Sequence, residues 1–534
     1  MAEQTEFDFI VVGGGAAGCV LAARLAERGD VTVALIERGP MDRRPAIHVA
    51  GAFPRLYDLP ETDMVFSEPD PSLGGRPVRV LQGRVIGGGS SIGAMVYMRG
   101  QRQDFDDWAE RHGCAGWAYD DMLPVFRRHE ANTRLDDAYH GTDGPVVVSD
   151  PAAPHPVSAR AIDAAIAAGV PATQDFNGAR QEGAGWYQVY AHRGRRQSAA
   201  GCFLRPVLKR ETLTVVTGAT VQRLRIDGRR ATAVELRDKA GGERILRARR
   251  EIVLTAGAIQ SPKILMLSGI GPAGDLNRLG IDVACDAPGV GANYHDHHGA
   301  AVTWYLDGIQ GLDGQDRGRN ALRNLRDYVL HRRGLLASTH VDAGACVDTT
   351  GSGRPDVQYN FAAFAPAGPD MPRLDGNAMV MNTTIMQTRS RGRLGLRSGN
   401  PADGVTILAN ALDDPRDLAT LRRGVRMACR FYDQSPLREV LGAPIWPPAG
   451  LDMSDASETF EAEIRARAES KGHPTGTCRM GPDAEAVTDL DLRVRGIDGL
   501  RVADASVMPA IVSGNTQAAT LAIADRAADA LLRG

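Results

Sequence analysis

A chain of 534 residues is too long for one ordinary hydrophobic core, so two large domains are expected. Apolar residues make up 43% and charged residues 24%, which is ordinary globular usage. The formal net charge of −3 gives no electrostatic reason to bind nucleic acid or an anionic membrane.

Seven cysteines (Cys19, Cys114, Cys202, Cys285, Cys346, Cys429, Cys478) are scattered, odd in number and free of any C-x-x-C pair. That fits reduced thiols in a cytoplasm rather than a disulfide framework. The N-terminus, MAEQTEFDF, is acidic and lacks the basic start of a signal peptide. The apolar run over 9–23 is glycine-rich, short for a membrane span and closed by Arg24, Glu27 and Arg28, so no integral membrane segment is expected.

In chain order, residues 7–12 form a short apolar, β-branched run that predicts a buried parallel strand. Gly13, Gly15 and Gly18 follow as G-x-G-x-x-G, then an Ala- and Leu-rich helix over about 16–27 and a second strand over 31–36 ending at Glu37. Each part has a use if a dinucleotide is bound. Gly13 permits the tight turn, Gly15 lets the backbone approach a pyrophosphate, and Gly18 lets helix and strand pack closely. The helix N-terminus offers free N–H groups to phosphate, and Glu37 is placed to accept hydrogen bonds from ribose hydroxyls. FAD and NAD both stay open at this point. Arg38 leaves room for a 2′-phosphate reader, against which the carboxylate of Glu37 argues.

A second glycine cluster lies in QGRVIGGGSSIGAMVYMRG (82–100). Gly87, Gly88 and Gly89, followed by Ser90 and Ser91, read either as a loop whose N–H groups face an anionic or polar group or as a plain turn. REIVLTAGAIQSPKILMLSGIGP (250–272) predicts a strand, a glycine turn and a helix starting near Ser261 and Pro262. At the end of the chain, 500–503 predicts a strand, and Asn515 or Thr516 caps a long Ala-rich helix. There is no internal repeat or obvious linker. Nucleotide-domain units come from the beginning, middle and end of the chain. The expected division is 1–155, 205–300 and 480–534 for a nucleotide domain, and 156–204 and 301–479 for a substrate domain.

GHPTGTCRMG (472–481) pins His473 between a glycine and a proline, with Cys478 five residues on. It could be a metal ligand, a general base or a packed histidine. YHDHH (294–298) is the more tempting metal cluster, with His295, Asp296, His297 and His298 adjacent. Consecutive residues of an extended segment point to opposite faces, which spoils a common centre, so no metal site is assigned. His48, His112, His129, His140, His155, His192, His331 and His340 read as surface or packing residues. Whether Lys471 faces substrate or solvent is open.

With these stretches placed, the sequence resembles the glucose–methanol–choline (GMC) family of FAD-dependent oxidoreductases nearly end to end. The resemblance is carried by GRVIGGGSSI…VYMRG, DFDDWA, GCAGWAYDDMLPVF, DFNGARQEGAGWYQ, RRQSAAGCFLRPVLKR, TAGAIQSPKILMLSGIGP, PGVGANYHDH, SRGRLGLRS, HPTGTCRMG and LRVADASVMPAIVSGNTQAATLAIADRAAD. It implies an α/β fold: a doubly wound, Rossmann-like FAD-binding domain with a second substrate domain built on an antiparallel sheet plus helices. It implies cofactor contacts from Gly13, Gly15, Ala16, Ala17, Gly18, Glu37, Arg38, Arg84, Gly87, Gly88, Ser90, Ser91, Val221, Ala256, Gly257, Asp504, Ala505, Thr516 and Gln517. There are two departures. Gly93 stands where members commonly have Asn, and Ile92 stands where some members attach FAD through a histidine, so non-covalent FAD is expected.

Oxidising an alcohol at a flavin needs a base for the hydroxyl proton and a carbinol hydrogen facing flavin N5. The resemblance places the base on His473 and its partner, His or Asn in different members, on Asn515. An asparagine can hold the substrate oxygen but cannot be the base. The expected reaction is oxidation of an alcohol, a primary one by preference, to the aldehyde, with oxygen or a quinone-type compound as electron acceptor. The alternatives are a flavin-containing lyase of the same family, acting without net redox, and a nicotinamide-dependent dehydrogenase.

Overall fold

The computed structural model describes residues 5–364 and 376–533; the first four residues of the acidic N-terminus lie outside them. The first apolar run is the strand Glu6–Val12, and its parallel neighbour is Val33–Glu37. Every residue of Val33–Glu37 is buried, which explains why that run shows no alternation: both faces of a parallel sheet are covered. The expected span of 31–36 shifts two residues at its start, and Glu37 is the last residue of the strand itself. Between them, the helix Ala16–Glu27 buries Ala17, Ala22, Ala23 and Ala26, small side chains that let it lie close to the sheet.

Seven strands make the first sheet, in the order Leu213–Thr217, Val33–Glu37, Glu6–Val12, Glu243–Leu254, Arg230–Asp238, Ala219–Asp227, with Leu500–Val502 also paired to Glu243–Leu254. That long strand branches. Residues 243–247 pair antiparallel with Arg230–Asp238, while 252–254 pair parallel with Leu500–Val502. Four strand ends therefore lie together, at Val12, Glu37, Leu254 and Val502. The carboxyl edge of an open parallel sheet is where such folds bind ligands.

The helix after Leu254 begins at Gly257, four residues before the expected start, and carries Pro262 inside it. Proline cannot donate to the carbonyl four residues back. Here that carbonyl, on Ala258, accepts the Thr477 Oγ1–H instead, at 2.7 Å. A hydroxyl of the HPTGTC segment thus replaces the missing helical bond, and the helix continues through its proline. The last helix is Gln517–Arg533. Of the two expected caps, Thr516 immediately precedes it and its carbonyl accepts the Thr520 N–H; the Asn515 side chain is turned elsewhere.

The second sheet is antiparallel throughout: Leu441–Trp446, His298–Leu306, Ala378–Ile385, Val357–Ala362, Ala343–Val347, Gly183–Trp186, with Glu469–Ser470 added to His298–Leu306. One face packs on the helix Pro415–Tyr432, where a Cβ at Gly424 would come within 2.7 Å of Thr383 Cγ2 and Tyr359 Oη donates to the Gly424 carbonyl. Side chains alternate across a strand. With Tyr359 and Thr383 on the helix side, their neighbours Asn360 and Asn382, which pair across the strands, point the other way.

Candidate active site

A single cavity of about 1040 Å³ runs from the glycine turn after Val12 to His473. Its walls include Gly13, Gly15, Ala16, Ala17, Glu37, Arg38, Gly88, Ser90, Val221, Ala256, Gly257, Asp504, Ala505, Asn515, Thr516 and Gln517. Of the sequence-predicted positions, Gly18, Arg84, Gly87 and Ser91 do not line it. Arg84 donates to the Pro60 carbonyl and, like Arg38, approaches Asp63. Ser91 Oγ donates to the Ile86 carbonyl and fixes the second glycine loop from behind.

The two glycine loops, far apart in sequence, stack on one another. Gly87 N–H donates to the Gly14 carbonyl at 2.7 Å, and a Cβ on Gly88 would stand 2.8 Å from Gly15 Cα. Gly13 has φ +108°, a conformation other residues rarely adopt, and a Cβ there would strike Ala256 at 2.6 Å. At Gly18 a Cβ would lie 1.9 Å from the Gly13 carbonyl oxygen. Gly15 differs: a Cβ there would meet nothing nearer than 3.8 Å, because the residue faces the cavity. The turn thus keeps open the space that a closely approaching ligand backbone needs.

Glu37 closes the same end. Its two carboxylate oxygens accept the N–H groups of Gly14 (2.9 Å) and Gly39 (2.7 Å), and burial pushes its carboxyl above the usual range. Asp504 accepts from Gly257 N–H, Ser261 Oγ and Ser506 N–H, tying the middle and final strand–turn units together.

His473 lines the same cavity. Its N–H donates to Asp296 Oδ1 at 2.8 Å. Its Nδ1 lies 2.9 Å from His297 Nδ1, and its Nε2 lies 3.3 Å from Asn515 Nδ2. His297 Nε2 is 3.0 Å from the Met386 carbonyl. The proton positions follow from these partners. A carbonyl only accepts, so His297 Nε2 carries a hydrogen and, in the neutral ring, its Nδ1 accepts. His473 must therefore carry its hydrogen on Nδ1, which leaves the lone pair on Nε2, beside Asn515 in the cavity wall. Burial and the charge of Lys471 lower His473 to about 4, so at ordinary pH it is neutral and its Nε2 lone pair is unprotonated. Burial keeps His297 neutral as well.

The YHDHH side chains go separate ways: His295 Nδ1 to the Asn293 carbonyl, Asp296 to Ser470 and His473 N–H, and His297 to His473. His297 is the functional residue that sequence reasoning missed. The signal was its place in the NYHDH segment, but only the fold brings it to His473. Asp104 of DFDDWA is a second. It accepts both Ser513 N–H (2.6 Å) and Ser513 Oγ (2.7 Å), fixing the backbone two residues before Asn515. Arg196 is a third, donating to the Gly93 and Ser90 carbonyls and so holding the second glycine loop. Lys471, left open by the sequence, lines the cavity with its Nζ 2.7 Å from Glu469 and 3.4 Å from Asn382 Oδ1.

Residues 7–299 and 388–524 match the two sequence profiles of GMC oxidoreductase. The chain belongs to the GMC oxidoreductase family. As a GMC oxidoreductase it is an FAD-dependent enzyme that oxidises alcohols. It is 37% identical to an oxygen-dependent choline dehydrogenase of Brucella suis biovar 1 over 532 residues, covering 99% of this chain and 96% of that one. Among solved structures it is similar to pyridoxine 4-oxidase from Mesorbium loti, with TM-score 0.89, 30% identity and 99% of each chain covered. It is also similar to formate oxidase, with TM-score 0.92, 25% identity, and 100% and 99% of the two chains covered. This GMC oxidoreductase has the doubly wound FAD domain and antiparallel second sheet that the sequence motifs implied.

The residues present fit FAD. Gly15 leaves its Cβ space to the ligand, the last helix opens on the cavity at Gln517, and Asn515 Oδ1 is buried with no protein partner. An orphan acceptor beside a basic nitrogen is costly unless a bound molecule donates to it.

Proposed function

We propose that this protein oxidises a primary alcohol to the aldehyde over non-covalently held FAD, with His473 as base. The observation that carries the reading is the His297–His473–Asn515 chain, whose partners leave the ring's lone pair on His473 Nε2 in the cavity wall, where it accepts a long bond of 3.3 Å from the Asn515 amide that a substrate hydroxyl can replace. FAD, when bound, supplies the hydride acceptor for the carbinol hydrogen. The substrate hydroxyl sits between His473 Nε2 and Asn515, donating its hydrogen to the imidazole. The imidazolium that forms keeps its Nδ1–H bond to His297, so the ring does not turn during proton transfer.

Gly13, Gly15, Glu37, Ser90, Asp504 and Gln517 hold the nucleotide. Ile92, which lines the cavity, offers no atom for covalent attachment. Asn360, Asn382, Glu469 and Lys471 give the substrate side a polar wall, so an alcohol with further hydrogen-bonding groups fits better than an unadorned aliphatic one. The electron acceptor is oxygen, as in the name of the choline dehydrogenase relatives, or a quinone-type compound. The domain division stays as drawn from the sequence, and seven unpaired thiols favour the cytoplasm.

Acid titration tests the base. The reactive form is neutral His473, and burial lowers its pKa to about 4. The sign is that activity holds while pH falls from neutrality and is lost only as pH passes below that value. In rapid pH-jump assays, kcat/KM for the alcohol stays flat to about pH 5, is halved near pH 4 and below that drops about tenfold per pH unit. Burial raises Asp296, which accepts the His473 backbone N–H, to about 6, so an inflection near 6.5 that persists in Asp296→Asn would mean a solvated imidazole and contradict the desolvated base.

A further inference from the structure

We propose that the helix Gly318–His331 is a docking surface for an anionic lipid membrane. Its polarity is inverted relative to an ordinary surface helix. The side toward the protein is held by Asn324, which donates to the Gln315 carbonyl at 2.8 Å, and Tyr328, which donates to the Gly194 carbonyl at 3.0 Å. The side toward solvent carries Leu322, Leu325, Val329 and Leu330, which are 52–68% exposed. Residues 322, 325 and 329 share one stripe at helical spacing. Arg319, Arg323 and Arg326 form a second stripe beside it.

Composition names the occupant. From 316 to 333 the chain holds six arginines against two aspartates, on a protein whose net charge is −3. The whole-chain charge, which gave no reason to expect a membrane, averages this patch away. A hydrophobic partner alone would not call for the arginines, and an acidic surface alone would leave the leucines in water. A helix with exposed leucines and a basic stripe fits the interface of a bilayer containing anionic lipid.

The position gives the patch a purpose. Asp316 lines the cavity and pairs with Arg55 at 2.7 Å, and the helix starts two residues later. A membrane seated on the helix lies beside this rim of the cavity, on the side where a lipophilic quinone-type acceptor partitions. Among the described residues no helix is long and apolar enough to cross a membrane, so the contact is peripheral.

The test is co-sedimentation of the full-length holoprotein with phosphatidylcholine vesicles, with and without phosphatidylglycerol. The protein sediments with the anionic vesicles only, and raised salt releases it. The variants Leu322→Gln/Leu325→Gln/Val329→Gln and Arg319→Gln/Arg323→Gln/Arg326→Gln each lower the bound fraction at least about tenfold. Both stay yellow and oxidise alcohol with a soluble acceptor as the parent does, which separates this claim from the assignment of the active site. Absence of the parent from the vesicle pellet would overturn the proposal. So would a dimer in analytical ultracentrifugation that the leucine variant abolishes, because the face would then belong to a second copy.

Discussion

His473→Ala slows reduction of the flavin by alcohol about a thousandfold while FAD stays bound. The size follows from what a positioned general base contributes, about two to four orders of magnitude. Retention of FAD follows from geometry: the ring nitrogens of His473 bond to His297 and Asn515, and the bonds that hold the glycine turn and Glu37 do not involve it. The measurement is anaerobic stopped-flow at the flavin absorbance, with FAD content determined on the same sample. Normal reduction in the variant would refute the base assignment. His473→Ala also leaves the Asn515 amide and His297 Nδ1 without their partner, so part of the loss is positional and the variant reports the chain rather than one proton transfer.

The second large effect is a contrast between two glycines three residues apart. Gly18→Ala puts a Cβ 1.9 Å from the Gly13 carbonyl oxygen, a backbone atom that cannot move without shifting the turn. Overpacking of this kind costs about 1–3 kcal/mol and more where backbone is struck, so the variant is recovered in low yield with a lowered Tm. Gly15→Ala meets nothing nearer than 3.8 Å. It folds with parental stability when stripped of cofactor, and its affinity for FAD falls about tenfold or more, because the methyl occupies the space left for the ligand. Thermal denaturation of both apoproteins, with FAD titration of each, reads the two effects separately. Equal FAD affinity in Gly15→Ala and parent would remove the argument that this glycine faces the cofactor.

The difference between these glycines shows what could be read from sequence. The strand–turn–helix at the N-terminus is local: periodicity marks the buried strand, three glycines mark the turn, and the helix Ala16–Glu27 came out with the expected bounds. The start of the middle helix did not, because Pro262 is a strong local stop signal and its rescue comes from Thr477, more than two hundred residues away. In the same way, His473 and Asn515 were legible through the family's motifs, whereas their orientation was not. That depends on His297 reaching His473 Nδ1, on Met386 fixing the His297 proton, and on Asp104 gripping Ser513. Each is a contact across the fold, and a single sequence carries no register for such contacts. Arg84 shows the opposite limit: it lies in a motif that carried the family resemblance, yet its side chain serves Pro60 and Asp63.

The most direct measurement mixes the purified parent protein with a panel of primary alcohols in the absence of oxygen. The account predicts yellow protein whose visible absorbance bleaches with at least one polar primary alcohol, yielding one aldehyde per flavin. Yellow protein that bleaches with none of them yet cleaves cyanohydrins, or colourless protein whose activity requires NAD, would contradict it.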